Sequence, residues 1–108
     1  MYKRQLIEWY KGHFLEDGAD VADVRRSPLL AEDLSGLAPA VIVTAGFDPL
    51  RDEGEAYAEA LQAAGVPVVL RRFDGLFHGF INSTGVLPVC RDAVAEVAGM
   101  ARAALVLT

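Results

Sequence analysis

The chain has 108 residues, 53% of them hydrophobic and 23% charged, which excludes a disordered polymer and allows one domain that buries about two-thirds of its unfolded surface. The formal net charge is -5, and the ten Lys and Arg residues are scattered singly or in pairs, so there is no basic patch and nucleic acid is excluded as a partner. The only cysteine, Cys90, excludes an internal disulfide, and no apolar run reaches the roughly 18 residues of a membrane span, so a cytoplasmic protein without a membrane span is expected.

Residues 2–15 set Tyr2, Leu6, Trp9, Tyr10, His13 and Phe14 at three- and four-residue spacings, which predicts an amphipathic helix closed by Gly18. An aromatic stripe at that spacing is ordinarily a packing surface, so its face is expected to be buried rather than to act as a ligand lid. His13, near the helix C-terminus, suits the dipole there. Residues 20–37 read as an irregular surface connection, with Ser27-Pro28 and Ser35-Gly36 as turn signals. Leu34 and Leu37 are expected to tuck under the strand that follows.

Residues 40–45 form an unbroken apolar run with Val41, Ile42 and Val43 β-branched, which predicts a strand covered on both faces, as in a parallel sheet. Asp48 then falls at its carboxyl end, where open α/β sheets collect ligands and chemistry. Asp52, Glu53 and Glu55 crowd the start of a helix running to about Ala64, with Ala56, Tyr57, Ala60, Leu61 and Ala64 on one face. Gly65 stops this helix, and Pro67 leads into a second strand over residues 68–73. Between Asp48 and His78 there is room for helix, turn and strand, so the pattern is a right-handed βαβ crossover with parallel strands. Ala93, Val94, Val97, Ala98, Ala101 and Leu105 predict a closing helix from about Val86 to Leu105. The expected fold class is α/β: a helix and connecting segment over residues 1–38, then a β-α-β-α unit with two parallel strands over residues 39–108.

An imidazole serves as a general base near neutral pH, and does so best when a carboxylate accepts from its second nitrogen and fixes its orientation. Asp48 and His78, at neighbouring strand ends, are the candidate pair. On spacing alone, two residues that merely end strands explain the pattern as well.

The local strings add a resemblance. Gly46-Phe47-Asp48-Pro49-Leu50-Arg51-Asp52-Glu53-Gly54, then Tyr57-Ala58, Leu61 and Ala64-Gly65-Val66, then Gly75-Leu76-Phe77-His78-Gly79-Phe80 resemble the C-terminal part of the α/β-hydrolase fold. More narrowly, they resemble the hormone-sensitive-lipase-type carboxylesterases, and Ser27-Pro28-Leu29 and residues 33–40 match the segment before the acid-bearing strand there. The resemblance spans residues 9–80. It implies a serine carboxylic-ester hydrolase acting on a small-molecule ester without cofactor or metal, with Asp48 matching the triad acid and His78 the triad base. The nucleophile elbow G-x-S-x-G and the glycine-rich oxyanion segment of the family have no counterpart in the 108 residues. Ser27, Ser35 and Ser83 stand in other contexts, and Ser83, the nearest match, has Ile81 where the first glycine is required. The expectation is therefore a C-terminal fragment that carries two of the three triad residues and is inactive alone.

Cys90 is expected to be a buried small hydrophobe rather than a replacement nucleophile. Asp52 and Glu53 are expected to hold the helix opening. Substrate-binding residues, and with them acyl and alcohol preference, are not legible. Two other readings fit the same residues: a truncated, non-catalytic fragment acting as a binding or docking module, and an independent small α/β domain. Arg71 and Arg72 suit an outer edge because charge discourages strand pairing, whereas residues 40–45 lack such a guard, so self-association through that edge is expected.

Overall fold

The computed structural model describes residues 2–14, 18, 20 and 22–107, in two units of residues 1–31 and 32–108. The first unit contains helix α1, Tyr2–Phe14, and a single 3-10 turn, Pro28–Leu30. Leu15, the expected end of α1, and the side chain of Tyr2 lie outside the described residues. His13 Nδ1 donates to the Trp9 carbonyl at 2.8 Å, which satisfies one of the acceptors that a helix C-terminus leaves open. The aromatic face departs from expectation: Trp9, Tyr10 and Phe14 are all exposed, Phe14 at 86%. Instead of entering a core, Trp9 stacks along the helix against His13 and meets Tyr10 edge-on, with ring centroids 4.1 and 5.2 Å away.

In the second unit the order is strand β1, Ala40–Phe47; helix α2, Arg51–Ala63; strand β2, Val68–Phe77; a 3-10 turn, Phe80–Ser83; and helix α3, Pro88–Leu107. The strands pair in parallel, from Ala40 opposite Val68 to Ala45 opposite Phe73. Side chains alternate across a strand. Val43, Ala45 and Phe73 therefore point to one face, where they pack with Phe80 and with Cys90, Ala93, Val94 and Val97 of α3; Leu76, three residues beyond Phe73, joins them because the register shifts before Phe77. Cys90 is wholly buried, as a small hydrophobe would be. Thr44 and Arg72 point to the other face, which α2 covers with Ala58 and Leu61 buried.

The crossover is fixed by its turn. Val66 donates to the Leu61 carbonyl and Gly65 to that of Gln62, both at 3.0 Å, with Gly65 at φ +82° and Leu61 and Val66 buried together. That is the Schellman pattern, and the positive φ is why a glycine stands there. Pro67 lies just outside β2, and its carbonyl accepts from Ala40 at 3.0 Å, so its missing donor costs the ladder nothing. α3 starts at Pro88 rather than Val86, because proline suits the first helical position, whose amide is unsatisfied in any case. Leu34 is buried as expected, but Leu37 is exposed.

Arg71 and Arg72 also make ties that the sequence did not suggest. Alternation sends them to opposite faces, where each ties β2 to a helix. Arg72 makes two bonds to Glu55 of α2, at 2.6 and 2.5 Å, and Arg71 donates to Glu96 of α3 at 2.7 Å while lying over the Phe73 ring.

Candidate active site

Asp48 follows the last residue of β1 and precedes Pro49, which biases it to extended backbone. Its two carboxylate oxygens have separate tasks. Oδ1 accepts the backbone N–H of Leu50 at 2.8 Å, closing the turn into α2, and Oδ2 is 2.9 Å from Nδ1 of His78. The Asp48 side chain is only 14% exposed, whereas that of His78 is 65% exposed. The Leu50 amide, and then the His78 ring, hold the Asp48 carboxyl below its ordinary range against the opposing effect of burial, so it is ionised at neutral pH. A carboxylate can only accept, so Nδ1 carries the proton. Nε2, the other ring nitrogen, is left as a free acceptor, since the bond to Asp48 is the only one that His78 makes among the described residues.

His78 follows the last residue of β2 and precedes Gly79, whose φ of +78° turns the chain into the 3-10 turn that buries Phe80. A hollow of about 200 Å³ adjoins the pair, walled by Val43, Ala45, Phe77, Phe80 and Ile81. Chemically the arrangement is an oriented imidazole with one basic nitrogen facing open space.

Asp48 and His78 are legible in the sequence, but the residues that bring them level are not. Both strands run past their expected ends, β1 to Phe47 and β2 to Phe77, and the register shifts between Ala45 and Phe47. At that shift Gly46 lies against the backbone of Asp74, and its carbonyl accepts from Arg51 Nη1 at 2.9 Å. The available signal was the pair Gly46 and Gly75 near two strand ends, since glycine within a strand marks a bulge or a close backbone approach. Asp52, expected to hold the helix opening, pairs with Arg51 at 3.0 Å, and Glu53 lies beside it in the first turn of α2.

The alpha/beta hydrolase fold model matches residues 1–82 of the chain. The chain belongs to that family. This α/β-hydrolase chain is 62% identical over 77 residues to the carboxylic ester hydrolase LipN of Mycobacterium tuberculosis, an overlap covering 70% of the chain and 20% of LipN. It is 46% identical over 104 residues to the carboxylesterase NlhH of the same species, covering 93% of the chain and 30% of NlhH. Among solved structures, EstE1, a thermophilic and thermostable carboxylesterase cloned from a metagenomic library, superposes with a TM-score of 0.82 at 42% identity over 94% of the chain and 34% of its own length. The α/β-hydrolase chain thus spans between a fifth and a third of the length of these relatives. Among its described residues no helix is long and apolar enough to cross a membrane.

Proposed function

We propose that the chain supplies the acid and base of a Ser-Asp-His triad in a serine carboxylic-ester hydrolase of the hormone-sensitive-lipase type. A serine hydroxyl attacks the ester carbonyl while Nε2 of His78 takes its proton. The same nitrogen returns the proton to the departing alkoxide, and water then repeats the sequence on the acyl-enzyme. Asp48 keeps the proton on Nδ1, orients the ring and stabilises the imidazolium. The observation that carries this reading is the 2.9 Å contact between Asp48 Oδ2 and His78 Nδ1, with Nε2 left open. It is supported by relatives that are themselves named as carboxylic ester hydrolases. The nucleophile and the oxyanion donors come from outside these 108 residues, so the chain alone is inactive; it needs no cofactor or metal and works in the cytoplasm.

The test is a chimera in which this chain replaces the matched segment of NlhH. The chimera is expected to hydrolyse a short-chain nitrophenyl ester, and His78→Ala and Asp48→Asn each to lower kcat by about 10⁴-fold. A folded chimera that keeps its activity without His78 would refute the assignment, as would turnover by the 108-residue chain on its own.

One observation favours a second reading, a module that associates with further copies of itself. Among the described residues β1 pairs on one side only, and residues 41–43 along it are apolar and half-buried. Mass measured across a dilution series is expected to rise with concentration, and a monomer at every concentration would remove this reading.

A further inference from the structure

We infer that Gly46 is a positioning residue for Asp48 and His78, acting through a bulge in β2; the inference rests on the catalytic reading of that pair given above.

The offset that sets Ala40 opposite Val68 and Ala45 opposite Phe73 would, if carried on, set Asp48 opposite Leu76. Leu76 is a core residue and offers no base. The observed register instead sets Phe47 opposite Phe77, two residues further along β2, so the same pairing continued brings Asp48 opposite His78. The shift is absorbed between Phe73 and Phe77, where Asp74, Gly75 and Leu76 lie against the single residue Gly46. Such a bulge bends its strand and re-aims the side chains beyond it.

The bulge occupies the space that any side chain at position 46 would need. A Cβ on Gly46 would stand 2.1 Å from the Asp74 carbonyl oxygen, 2.7 Å from its carbon and 2.8 Å from its Cα. All three are backbone atoms, so no rotamer change relieves the clash. Gly46 is not among the glycines with positive φ, so the requirement is for room and not for an unusual conformation. Arg51 also holds the same peptide, through a hydrogen bond to the Gly46 carbonyl. Adding a methyl group must therefore push β2 off by about 1 Å or more, and the displaced segment runs on through Phe77 to His78. Gly75 supplies the control, since a Cβ there meets nothing within 4 Å.

The ¹⁵N shifts of the His78 ring in the 108-residue chain test this directly, because they report which nitrogen holds the proton. Wild type and Gly75→Ala are expected to show the proton on Nδ1. Gly46→Ala is expected to lose that bias and to resemble Asp48→Asn. A folded Gly46→Ala chain with the proton still on Nδ1 would overturn the inference. If that variant does not fold alone, the same substitution in the NlhH chimera is the second measurement. There kcat is expected to fall by about 100-fold with KM little changed, and an unchanged kcat would overturn the inference. Activity that survives His78→Ala would instead remove the catalytic reading, and the tautomer result would still stand.

Discussion

Towards α3 the sheet presents Val43, Ala45, Phe73 and Leu76, packed on Phe80, Cys90 and Ala93; towards α2 it presents Thr44 and Arg72, joined through the carboxylate of Glu55. The same two strands build both faces, by alternation and, for Leu76, by the register shift, but the attachments differ in kind. The first face is held by close apolar packing, which has no charge to titrate. The second buries Ala58 and Leu61 of α2 as well, but adds charge-assisted hydrogen bonds, which last only while Glu55 is ionised. A covering helix can thus be fastened by shape alone or by shape together with charge within one small unit, and only the second fastening depends on pH.

The largest expected effect is on the apolar face. Phe73→Ala removes a buried ring that meets Phe80 edge-on at 5.6 Å and should cost about 3–5 kcal/mol in denaturant unfolding, with no dependence on pH. A much smaller loss would mean that this face is not close-packed, and the contrast would fail.

A smaller, pH-dependent effect is expected from Glu55→Gln. The Arg72 guanidinium, followed by the Thr44 hydroxyl, lowers the Glu55 carboxyl from its ordinary 4.5 to about 2, against the opposing effect of burial. A carboxyl with a depressed folded pKa stabilises above its unfolded pKa, and that contribution disappears as pH falls through the folded value. The difference in melting temperature between wild type and Glu55→Gln should therefore be widest above about pH 4.5 and close as pH approaches 2. A difference constant down to pH 2 would show that charge adds nothing to this face.

The smallest effect belongs to Arg71, which brings a charge to the edge of the apolar face. It and Glu96 are 42% and 46% exposed, and exposed pairs contribute little. Arg71→Met keeps an apolar stem over Phe73 and should leave the melting temperature nearly unchanged. A loss approaching that of Phe73→Ala would sharpen the comparison in the opposite direction, by making a surface pair part of the packing.

The elements were legible where one local signal dominated. The continuous apolar run gave β1, acids followed by an Ala and Leu face gave α2, and Gly65 marked its end. Leu37 and the aromatic face of α1 were misread for a common reason: spacing tells which side chains share a face, but not what lies opposite. The partners of the two arginines were not legible, because alternation divides neighbours between faces, and Glu55 and Glu96 lie far away in sequence. At the site, Asp48 and His78 were legible because both stand at strand ends in recognisable strings. The bulge was not, because β2 was expected to end at residue 73, although Asp74 and Gly75 belong within it. The short turn Phe80–Ser83 carried no periodicity to read.

The crossover helix has a consequence for length. Thirteen residues span about 20 Å as the helix α2 but more than 40 Å when extended, so α2 works as a spacer of fixed size between Asp48 and His78. One residue inserted into it would turn its exit by about 100° and advance it by about 1.5 Å, and β2 would re-enter the sheet from another direction. The number of residues in α2 is therefore as much a part of the site as the chemistry of Asp48 and His78, and a deletion far from either can separate them.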